Sequence, residues 1–113
     1  MSAVHAKHEF KLRVREWANA LDVHCTSLSV RPMSRKWASC STAGALSFST
    51  DVLSLESALV DYVIVHELLH LRVPNHGRLW KSLMRAYLGD YEGLHARLRY
   101  EADPTRQLAS CPE

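Results

Sequence analysis

No stretch of the sequence approaches the roughly 20 consecutive apolar residues that a membrane span requires. The most apolar run, Leu59 to Leu71, is interrupted by Asp61, His66, Glu67 and His70, so no membrane association is expected. The opening MSAVHAKHEFKLRVREW has charges spread through it and no apolar stretch of signal-peptide length, so export is not expected either. Cysteine is scarce. Cys25, Cys40 and Cys111 are odd in number and far apart, which speaks against a disulfide framework and fits a reducing compartment, the cytoplasm. A strong charge of one sign is lacking too: 14 basic and 12 acidic residues leave a net +2, too little to argue for nucleic acid or a membrane surface. Residues 1–50 hold seven Lys/Arg against three Asp/Glu and the rest seven against nine, a mild +4 and −2 asymmetry typical of a solvated face. Internal repeats, low-complexity tracts and linkers are absent. At 113 residues and 47% hydrophobic composition the chain can fill one core but not two. A single domain over residues 1–103 is expected, followed by a flexible tail, 104–113, without periodicity.

What is present reads as an α+β chain. Phe10, Val14, Trp17 and Leu21 recur at helical spacing among Lys, Arg and Glu, predicting an amphipathic helix from about residue 3 to 20. Thr26 to Arg31 alternates with period two before Pro32, as a half-buried strand does. Further strands are expected at Lys36–Ser41 and Ala45–Ser49, joined through Thr42-Ala43-Gly44, whose glycine can take the positive φ of the turn. Ser54 suits an N-cap, and the run Leu59–Leu71 has no Gly or Pro, predicting a helix over about 55–72 that Pro74 ends. Its apolar residues lie around most of its circumference, so it should be buried. After Asn75-His76-Gly77 a helix bearing Leu79, Trp80, Leu83, Met84 and Tyr87 should end at Gly89. A last helix is expected over 91–102, before Pro104.

The chemistry sits in His66-Glu67-Leu68-Leu69-His70. Two imidazoles four residues apart are separated by about one turn and 6 Å along the axis, so both can reach one ion. Glu67 projects roughly 100° from His66 and about 60° from His70, placing its carboxylate beside the ion without ligating it. That is the zinc-hydrolase pattern, in which the metal lowers the pKa of its water and the carboxylate takes the proton. Seven His and seven Glu in 113 residues give about 0.03 accidental matches, so chance is a poor explanation. Three ionisable groups inside the most apolar helix also need compensation, which a dication provides. A catalytic zinc takes three protein ligands. The nearest candidate for the third is His76, just beyond Pro74; Cys40, Glu92 and Glu101 are the alternatives. His5, His8, His24 and His95 have no such spacing and read as surface residues. Trp17, Trp80 and Met84 read as core, whereas Trp37 stands in a polar stretch.

The segment Asp61-Tyr62-Val63-Ile64-Val65-His66-Glu67-Leu68-Leu69-His70-Leu71, followed by Asn75-His76 and Trp80, resembles the YgjP-like metallopeptidase family. Ser34-Arg35-Lys36-Trp37-Ala38-Ser39-Cys40-Ser41 is similar to that family's stretch upstream of the motif helix, with Ala38 where the family has Gly. Leu69 stands where the family often has Cys, and Gly77 where it usually has Ser. His76-Gly77-Arg78-Leu79-Trp80 also resembles the His-Gly-x-x-Trp element of SprT-like proteases, in which the His is a metal ligand. The resemblance covers roughly residues 10–88. It implies a minimal zincin: an N-terminal helix, a small three-stranded sheet, the buried motif helix and one or two C-terminal helices. It also favours His66, His70 and His76 as ligands of Zn2+. The expected function is zinc-dependent hydrolysis of peptide bonds in a polypeptide, with metal-activated water and Glu67 as general base. The alternatives are a SprT-like DNA-associated protease, supported by the basic N-terminal half, and a non-catalytic zinc-containing regulatory or binding module. Ala45–Ser49 is expected to flank the cleft and offer its edge to an extended substrate.

Overall fold

The structure is a computed structural model that describes residues 3–41, 43–73, 77–102 and 107–108. Helix α1, Ala3–Leu21, is followed by strands β1, Ser27–Arg31, β2, Lys36–Cys40, and β3, Ala45–Ser49. A 3₁₀ turn at Thr50–Ser54 leads into α2, Ser57–Arg72. Then come α3, Arg78–Leu88, α4, Tyr91–Arg97, a π-type turn at Leu98–Ala102 and a two-residue strand β4, Gln107–Leu108. The fold is α+β, as expected from the order of periodicities.

Each element buries the side its sequence pattern marks. On α1 the inward stripe is Phe10, Val14, Ala18 and Leu21, all buried. Trp17 lies at the flank of that stripe, where its indole N–H donates to Asp61 Oδ1 on α2 at 2.8 Å. Arg13 donates to the same oxygen through Nε, also at 2.8 Å, and through Nη2 to the Ser57 carbonyl and hydroxyl. The polar exception on α2 is thereby what ties it to α1. Phe10 meets Phe48 of β3 edge to face, with ring centroids 5.0 Å apart, which joins helix and sheet. The stop of α2 is fixed as well: Val73 N–H donates to Leu69 O at 2.7 Å, and Arg72 Nη1 reaches the Leu21 carbonyl at 2.9 Å.

The sheet order is β1-β3-β2-β4. Strands β2 and β3 pair antiparallel with Ala38 opposite Phe48 and Cys40 opposite Leu46, the expected hairpin. Gly44 in its turn has φ 91°. Strand β1 pairs parallel with β3, Ser27 with Ala45 through Arg31 with Ser49. The strand β4 pairs parallel with β2, Lys36 opposite Gln107 and Ala38 opposite Leu108. The other residues of 104–113 lie outside the described residues.

Three expectations are corrected. Ala45–Ser49 offers no edge, because β3 is flanked by β1 and β2 and the sheet's edge strands are β1 and β4; β2 makes the sheet's main contact with α2. Sequence order places β3 last of the three, whereas pairing puts it in the middle. Ser54 does not cap α2: the helix begins at Ser57 after Glu56, and it is Ser49 that caps the preceding 3₁₀ turn by accepting from the Asp51 N–H. Finally, Cys40 is held in a disulfide while Cys25 is free, so distance along the chain was a poor guide to pairing. Its sulfur is then no thiolate, which removes Cys40 as a metal ligand.

Candidate metal centre

Helix α2 carries the site because its composition forces it inward. Leu59, Val60, Tyr62 to Val65, Leu68 and Leu69 are all buried, and the motif residues go in with them: His66 is 5% exposed, Glu67 0% and His70 3%. The two imidazoles share one helix face with ring centroids 4.7 Å apart and planes at 66°. Glu67 Oε1 lies 3.6 Å from His66 Nδ1. Taking a carboxylate wholly out of water is costly, and a nearby cation offsets that cost.

Helix α3 supplies the wall. Trp80 approaches His66 edge to face at 5.2 Å and lies stacked on His70 at 5.9 Å with planes 29° apart. Its other side meets Tyr91 of α4 at 6.0 Å, and Arg85 rests over the Tyr91 ring at 5.4 Å while pairing with Glu92 at 2.9 Å. Reading Trp80 as core is correct as far as burial goes, at 5% exposure, but the core it belongs to is the buttress of both histidines.

Helix α4 adds a contact that sequence reasoning missed. Tyr62, one turn before His66 on the same face, packs on the His66 ring at 5.8 Å and shares a hydrogen bond of 2.8 Å with His95 Nδ1. Burial, then the neighbouring Glu67 carboxylate and Tyr91, push the Tyr62 phenol well above its usual range, so it stays protonated. The spacing Tyr62 to His66 could have flagged the tyrosine; nothing in the sequence links it to His95.

The expected residues separate as follows. His66, Glu67 and His70 are brought together. Glu92 is turned to solvent on Arg85. His76, the side chain of Glu101, Pro74 and Asn75 lie outside the described residues. Trp37 is buried in β2, and His5 pairs with Glu9 on the surface of α1. Among the described residues no group of three His, Cys, Asp or Glu side chains could hold a metal. The donor chemistry of His66 and His70, two imidazoles at one-turn spacing with a carboxylate alongside, fits zinc. Among the described residues no helix is long and apolar enough to cross a membrane.

No curated protein sequence matches the chain. Among solved structures, the crystal structure of the metallopeptidase zymogen of Pyrococcus abyssi abylysin matches with a TM-score of 0.71, covering 88% of this chain and 98% of that one. At 19% identity this is a likeness of fold. The description of the YgjP-like metallopeptidase domain, by contrast, fits residues 2–101, nearly the whole chain and every element from α1 to α4, and the protein therefore belongs to the YgjP-like metallopeptidases.

Proposed function

We propose that the chain is a zinc-dependent peptidase in which His66, His70 and His76 hold the metal and Glu67 is the general base. The observation that supports it most is the position of Glu67. It is fully buried, 3.6 Å from the His66 imidazole, and outside the one-turn spacing of the two histidines. A purely structural zinc has no use for such a residue and would fill its fourth position with protein.

When bound, zinc would supply Lewis acidity toward a carbonyl oxygen and a water. The chain's own groups do the rest. Glu67 accepts a proton from the attacking water and returns it to the departing amine nitrogen, and its carboxylate needs no reorientation because the helix fixes it. Trp80 packs on both imidazole rings and Tyr62 on that of His66, which restricts the rings' freedom to turn.

The test is zinc stoichiometry together with cleavage of β-casein, an unstructured polypeptide, by the full chain. One zinc per chain is expected, with cleavage abolished by a chelator and restored by zinc. A chain that binds zinc at one equivalent and leaves casein intact, with or without added DNA, would argue for a binding module instead.

A further inference from the structure

Helix α4 carries two side chains, one turn apart, that reach the groups packed on His66. Tyr91 meets Trp80, and His95 meets Tyr62. The second meeting is a hydrogen bond, 2.8 Å from the Tyr62 hydroxyl to His95 Nδ1, and it leads back to the site because Tyr62 packs on the His66 ring. We infer that His95 and Tyr62 are a positioning pair for the metal centre, in which His95 fixes the phenol and the phenol fixes the turn of the His66 ring. Zinc affinity and ligand geometry then depend on a surface histidine outside the ligand set.

The Tyr62 ring touches both histidines. Its centroid is 5.8 Å from that of His66 and 5.9 Å from that of His95, with planes at 59° and 65°. Tyr62 and His66 are four residues apart on α2, so the helix alone brings their side chains together. What the helix leaves open is rotation about the side-chain bonds of each ring. A neighbouring ring restricts that rotation only if it is itself held, and Tyr62 has the same torsional freedom as His66. The hydrogen bond to His95 holds it, because it ties the far end of the phenol to an atom on a different helix. Groups that orient a ligand ring in this way are worth a sizeable part of a metal site's affinity.

Burial separates this role from plain structural support. Tyr62 is 2% exposed and belongs to the core, whereas His95 is exposed. A buried phenol needs a partner for its polar tip, and here the partner comes from the surface. Helix α4 is anchored without His95: Tyr91 packs on Trp80, Leu98 is buried just beyond the helix, and Arg97 pairs with Glu56 at the start of α2. Removing the His95 ring therefore takes away little packing and leaves α4 docked, and what is lost is the fixed point of the phenol. The inference deepens the proposed function: it rests on zinc ligation by His66, and on peptidase activity only for the effect on turnover.

The experiment compares the full chain with His95→Ala, His95→Asn, Tyr62→Phe and the combined His95→Ala/Tyr62→Phe variant. Zinc affinity is measured by competition with a chromophoric chelator, ligand geometry by the visible absorption of the cobalt(II)-loaded chain, and folding by the Tm of the metal-free chain. His95→Ala and Tyr62→Phe should each weaken zinc binding about tenfold and change the cobalt spectrum. The combined variant should be no worse than either single one, since both substitutions remove the same bond. His95→Asn, whose amide oxygen stands near the place of Nδ1, should restore affinity and spectrum. On β-casein, kcat should fall in His95→Ala with KM unchanged. Unchanged zinc affinity and cobalt spectrum in His95→Ala, or losses that add in the combined variant, overturn the pair; the first of these holds even if Tyr62→Phe lowers the metal-free Tm. The expected zinc and cobalt results without casein cleavage in any chain support the pair and count against the peptidase reading. A full chain that takes up neither metal overturns both.

Discussion

The indole of Trp80 lies nearly parallel to the imidazole of His70, 29° between planes and 5.9 Å between centroids, while its edge meets His66. One side chain from α3 therefore sets the ring positions of two histidines on α2. Trp80→Ala should destabilise the domain by about 3 to 5 kcal/mol, the usual range for removing a buried indole. It should also weaken zinc binding beyond what the loss of stability explains, because both rings gain freedom. Chemical denaturation and zinc competition with a chromophoric chelator measure the two effects separately. Unchanged zinc affinity would show that the rings are held by the helix alone.

His66→Ala, His70→Ala and His76→Ala should each abolish stoichiometric zinc and lower thermal stability, since ligation free energy is linked to folding. Chelator treatment of the unmodified chain should lower its Tm in the same way. If His76→Ala retains one zinc per chain and an unchanged Tm, the third ligand lies elsewhere, and Glu101→Gln is the next substitution to make.

Glu67→Gln keeps size and removes the base. Zinc content and secondary structure should be preserved while casein cleavage falls at least a hundredfold, consistent with the usual contribution of general-base catalysis. Residual cleavage above a few per cent would remove Glu67 from the role.

Asp61 accepts from both Arg13 Nε and Trp17 Nε1, so it is the polar seam between α1 and the motif helix. Asp61→Ala should cost about 1 to 3 kcal/mol by leaving a half-buried guanidinium and an indole N–H without that acceptor. Urea denaturation should show the loss while zinc stoichiometry stays at one. An unchanged midpoint would mean that water replaces the carboxylate without cost.

Much of this architecture was legible locally. The alternation in Thr26–Arg31, the gap at Thr42-Ala43-Gly44 and the uninterrupted run Leu59–Leu71 produce a strand, a hairpin and a buried helix because period two and period 3.6 are properties of neighbouring residues. The grouping of His66, Glu67 and His70 has the same origin: residues four apart share a helix face wherever the helix goes. The start of α2 was less legible, since Ser49, Ser54 and Glu56 all suit a helix entrance and the chain makes a 3₁₀ turn before the α-helix begins.

What the sequence by itself determined, then, is the fold class, the elements and the pair of histidines with their glutamate, all of them consequences of short-range geometry. The tertiary structure alone decided that β3 is enclosed and β2 receives β4, that Cys40 is disulfide-bonded, that Trp80 stacks on His70, and that His95 meets Tyr62 across 33 residues of sequence. Strand order and side-chain meetings between helices depend on how buried faces are shared among distant segments, and no periodicity along the chain encodes which distant face is the partner.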